Sequence, residues 1–136
     1  MLFRSWFWKV FAPASNDLDP DRAVAYFRRG NYLEALRRAD AIVAARPDVA
    51  LGWRFHGECL FHMEFYEDAV ESFGRAAGLG GEGTEDMFLW QALALHNDGQ
   101  SEPAKQVIRN VLASGTGTPQ LVAQAEGALA KLEAVS

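Results

Sequence analysis

Residues 53–76 read WRFHGECLFHMEFYEDAVESFGRA. Ala69, Phe73 and Ala76 stand four and three apart, so they share one face of a helix. The same pattern recurs on both sides. GNYLEALRRADAIVAARP begins at Gly30, EFYEDAVESFGRAAGLG at Glu64 and GQSEPAKQVIRNVLASG at Gly99. Aligned, they bring Ala35, Ala69 and Ala104 into register, at spacings of 34 and 35. Tyr32 and Tyr66 match, with Ser101 in the third copy; so do Ala39, Phe73 and Ile108, then Ile42, Ala76 and Val111. Small residues recur where two helices cross closely, and larger apolar ones recur about a turn away. A fixed period of this length marks an array of repeated units.

Each copy is preceded by a second helical stretch. Asp19 can cap a helix that Pro20 opens and Gly30 ends. The next runs from about Tyr32 to Ala45 and stops before Pro47. A third covers about Val49–Met63, and a fourth runs from Tyr66 to the Leu79-Gly80-Gly81-Glu82-Gly83 run. Thr84 is expected to cap a fifth, ending near His96, and Ser101 a sixth. Thr118 and Pro119 open a seventh that ends near Val135. No alternating stretch competes as a strand. The short loops favour antiparallel helical hairpins.

With Trp53, Gly57, Tyr66, Ala69, Phe73 and Ala76 in one unit, the chain resembles the tetratricopeptide-repeat (TPR) family, a helix–turn–helix of 34 residues. Ala23, Tyr26, Gly30, Tyr32, Ala35 and Pro47 match in the first copy, and Phe88, Ala92, Leu95, Gly99 and Ala104 in the third. The chain departs from the pattern at Asp19 (usually Trp), His56 (usually Leu), Leu60 (usually Tyr) and Gly81 (usually Pro), and the third copy needs one inserted residue. The resemblance covers about 19–115 and implies an all-α superhelix of paired helices. Residues 19–136 then form one repeat domain, with 118–135 as its capping helix and 1–18 as an aromatic segment and linker.

The resemblance further implies a concave groove, lined by the first helix of each pair, that binds a peptide or helix of another protein. By register it places Phe27 and Arg28, then Arg54, Glu58, Phe61 and His62, then Leu89, Leu93, His96 and Asn97 on that groove. Such a chain would serve as an adaptor, assembly factor or chaperone-like scaffold. One branch of the family clamps the terminal carboxylate of heat-shock chaperones; its clamp positions here hold Val24, Arg54 and Glu58, and Glu58 repels a carboxylate. That role is not expected.

The opening MLFRSWFWKVF holds Phe3, Trp6, Phe7, Trp8 and Phe11. It admits docking on its own domain, insertion at a membrane surface with Arg4 and Lys9 at the head groups, a weak secretory signal interrupted by Lys9, or contact with a partner. Two alternatives to groove recognition follow: a membrane-peripheral scaffold anchored by this segment, and a self-associating module. The expected location is cytoplasmic, with membrane association through these aromatics as the alternative.

A net charge of −5 over 136 residues argues against a nucleic-acid partner. Cys59 is the single cysteine, so no intrachain disulfide forms. No apolar run reaches the ~18–20 residues that span a bilayer. His56, Cys59 and His62 sit three apart, which spreads them over a broad arc, so no metal or other cofactor is expected. Glu58 and His62, four apart, are expected to pair, and Glu64, Glu67, Asp68 and Glu71 to form a solvated face. No Ser/His/Asp arrangement is legible, and the chain reads as a non-enzyme.

Overall fold

The computed structural model describes residues 18–135. Within them the chain forms seven α-helices: α1 (Pro20–Arg28), α2 (Tyr32–Ala45), α3 (Ala50–His62), α4 (Tyr66–Leu79), α5 (Met87–Asn97), α6 (Ser101–Ser114) and α7 (Pro119–Ala134). Each packs on the next, and α5 also touches α7. The architecture is an all-helical superhelical row of paired helices ending in a C-terminal helix, as the repeat predicts.

The repeat is visible in the backbone itself. At the end of α1 the amide of Gly30 donates to Phe27 O and that of Asn31 to Tyr26 O. Glu64 and Phe65 make the same pair of bonds to Phe61 and Leu60, and Gly99 and Gln100 to His96 and Leu95. All three are Schellman turns, which need a left-handed residue just past the helix. Gly30 and Gly99 fill that place at φ +79° and +81°, and Glu64 does so at +65°.

Packing follows the aligned register. Ala35, Ala69 and Ala104 are fully buried, and so are Ala39, Phe73 and Ile108. On the first helices the matching places hold Ala23, Gly57 and Ala92, all buried. Size is traded across the contact: Gly57 faces the large Phe73 ring, whereas Ala92 shares its cluster with Ile108. This close fit fixes the distance between the helices of each pair.

Two expected caps form differently. The Thr84 hydroxyl turns back to Gly81 O at 2.7 Å, so α5 begins later, at Met87, with Asp86 at its cap position. The Asp86 carboxylate is drawn away to Arg54 and caps nothing. Ser101 is the first residue of α6, and its hydroxyl bonds His96 Nδ1 at 3.1 Å. Asp19 and Thr118 do cap, accepting from the amides of Asp21 and Leu121.

Candidate partner-binding face

The first helices of the pairs are α1, α3 and α5, with α7 next in line, and two apolar crevices open between them. One, of about 410 Å3, is lined by Leu89, Leu93 and His96 of α5 and Ala128, Lys131 and Leu132 of α7. Leu93 keeps 44% of its surface exposed there. The other, of about 440 Å3, lies between α1 and α3, where Val24, Leu51 and Phe55 meet Ile42 of α2. Large apolar side chains left open in a crevice make it a candidate contact surface.

Where α3 meets the start of α5 the contact is polar. Arg54 donates to Glu58 Oε1 at 3.1 Å, to Asp86 Oδ1 at 2.9 Å and to the Gly83 carbonyl. Burial opposes its charge, but the bond to Glu58 and the fields of Asp86 and Glu58 outweigh that and raise its pKa. Arg54 is thus neutralised twice over. Glu58 pairs with Arg54 and not with His62, whose ring stacks on Tyr32 at 5.0 Å.

Nine of the ten expected groove residues fall into three groups. Leu89, Leu93 and His96 line the α5/α7 crevice, with Asn97 exposed at the end of α5. Arg54 and Glu58 form the central ion pair. Phe27, Phe61 and His62 belong to a ladder of rings: Phe27 meets Tyr32, Phe55 and His62, and Phe61 meets His62, Tyr66 and Trp90. Arg28 is exposed in the last turn of α1. The sequence reading missed the α1/α3 crevice and the α7 wall. The available signal for the latter was the apolar set Leu121, Val122, Ala125, Leu129 and Leu132 of the last helix. Phe3, Trp6, Phe7, Trp8 and Phe11 lie outside the described residues.

Sequence inspection also missed a three-helix polar tether. His56 of α3 bonds Ser72 Oγ of α4 through Nδ1 at 2.7 Å and Asp40 Oδ1 of α2 through Nε2 at 2.6 Å. The residue types are those of a hydrolase triad, but the setting is not. Ser72 is 3% exposed in the middle of α4, where backbone N–H groups are committed to the helix, so none is free to hold an oxyanion. Cys59 is fully buried, and burial, helped by the Glu58 and Asp40 charges, pushes its thiol up to about 12. Among the described residues no group of three or more His, Cys, Asp or Glu could hold a metal ion, and no helix is long and apolar enough to cross a membrane.

No protein-family model matches the chain. The second TPR domain of human RPAP3, solved in complex with the HSP70 peptide SGPTIEEVD, superposes with a TM-score of 0.67, covering 83% of this chain and 90% of that one at 26% identity. The fold is TPR-like. The His56 contacts tie α2, α3 and α4 together. In sequence, the chain is 36% identical over 74 residues to the cytochrome c-type biogenesis protein CycH of Pseudomonas aeruginosa. The match takes in 54% of this chain and spans 18% of that protein's length.

Proposed function

We propose that this TPR-like array is a protein–protein recognition module that grips an apolar stripe of a partner peptide or helix in the α5/α7 crevice. The carrying observation is that Leu89, Leu93 and Leu132 line one open, largely apolar trough whose polar lining residues include His96 and Lys131. Apolar anchors entering such a trough supply affinity, and a few polar groups in its lining set orientation. The RPAP3 domain's complex with a peptide supports binding of this type. The name of CycH favours an assembly factor among the possible roles. Arg54 contributes by holding α3 to the start of α5, and its two carboxylate partners leave it no charge to offer a peptide terminus.

Affinity capture with mass spectrometry tests this. Leu93→Glu places a charge in the trough at an exposed position, so it should remove specific partners while helical circular dichroism stays unchanged. Identical capture by wild type and Leu93→Glu would refute the assignment.

A further inference from the structure

The α1/α3 crevice is apolar along its length, from Leu18 and Val24 past Ile42 and Val49 to Leu51 and Phe55. Leu51 keeps 54% of its surface exposed there. The one charged residue in its lining, Arg46, is already paired with Asp48 at 3.4 Å. We propose that this crevice is covered by the aromatic stretch Phe3–Phe11 of the same chain.

Place, chemistry and charge each favour that occupant. Leu18 lines the crevice, and the stretch joins it through residues 12–17. Six residues span up to about 20 Å, enough for the stretch to fold back from Leu18 over the crevice that Leu18 lines. Phe3, Trp6, Phe7, Trp8 and Phe11 offer rings that each bury about 150–250 Å2 when covered, and the walls that meet them are aliphatic and aromatic. The stretch carries Arg4 and Lys9 and no acid, while Asp19 and Asp21 adjoin the lining residues Leu18 and Pro20. A short tether also holds the stretch at an effective concentration of about millimolar, so contacts too weak for a free peptide suffice. The α5/α7 crevice is left open to a separate molecule.

The test uses methyl-labelled full-length chain. Trp6→Ala/Trp8→Ala should shift the methyl signals of Val24, Ile42, Val49 and Leu51 and leave those of Leu89, Leu93 and Leu132 in place, equally at high and low protein concentration. From the other side, Leu51→Glu should red-shift tryptophan emission, because Trp6 and Trp8 are two of the four tryptophans; Leu93→Glu should not. Shifts that vanish on dilution would overturn the proposal in favour of a second copy. Unmoved methyls would overturn it too. Under that result, flotation of the full chain with phosphatidylcholine/phosphatidylglycerol vesicles, lost in Trp6→Ala/Trp8→Ala, assigns the stretch to a lipid surface.

Discussion

Gly57→Ala sets helix propensity against packing, and the geometry decides which wins. A Cβ at Gly57 would lie 2.6 Å from Cε1 and 2.7 Å from Cδ1 of Phe73. Non-bonded carbons settle about 3.5–4.0 Å apart, so the ring must retreat by about 1 Å. Phe73 is fully buried among Leu60, Ala76 and Met87, with Trp90 at 5.7 Å, and has nowhere to go. Overpacking of this kind costs about 1–3 kcal/mol. Removing a glycine from the middle of a helix returns about 1 kcal/mol. The expected balance is a loss of about 1 kcal/mol, or roughly 3–6 °C in Tm. Gly127 in α7 supplies the control, because nothing lies within 4 Å of its added Cβ. Gly127→Ala should therefore stabilise by about 0.5–1 kcal/mol. Urea unfolding followed by circular dichroism measures both. In a Phe73→Leu background the clash is relieved, and Gly57→Ala should become neutral or stabilising, a coupling of about 1 kcal/mol or more. If Gly57→Ala stabilises the native background as Gly127→Ala does, or shows no coupling to position 73, the reasoning about the helix crossing fails.

Three further outcomes follow from single positions. Glu64 is the only non-glycine at positive φ among the described residues, so Glu64→Gly should stabilise by about 0.5–1 kcal/mol in the same urea assay; a loss would mean that the Schellman turn does not carry this strain. His56→Ala leaves the buried Ser72 hydroxyl without its partner and should cost about 1–3 kcal/mol, whereas an unchanged midpoint would show that the tether contributes nothing. Because the folded Cys59 thiol titrates near 12 and an unfolded thiol near 8.5, only the unfolded chain loses that proton in between. The contribution of Cys59 to stability should thus be intact below about pH 8 and fall by about 1.4 kcal/mol per pH unit above about pH 9. Cys59→Ala lacks this slope, so comparing the two proteins' unfolding midpoints between pH 8 and 10 isolates it, and parallel pH profiles would contradict it.

Regular features were the legible ones. Ala35, Ala69 and Ala104 could be aligned by eye because each holds the same fully buried place in its own repeat, so one period carries much of the core. Asp19-Pro20 and Thr118-Pro119 announced helix starts because a cap acts within three residues. The start of α5 was not legible for the opposite reason: Asp86 spends its carboxylate on Arg54, thirty-two residues away. The His56 tether joins residues sixteen apart on either side, a distance that no local pattern reports. Groove register put Leu89, Leu93 and His96 together, and the three line one crevice. It could not tell them from Phe27 and Phe61, because an aromatic that packs on the next hairpin and one that waits for a partner occupy the same helical face.

Site-directed photocrosslinking from position 93 interrogates the α5/α7 trough most directly. With benzoylphenylalanine in place of Leu93, irradiation in the native cell extract should join the chain to one defined segment of another protein, and the same probe at the solvated Glu71 of α4 should not. Equal adducts from both positions, or none from position 93, would contradict recognition through this trough.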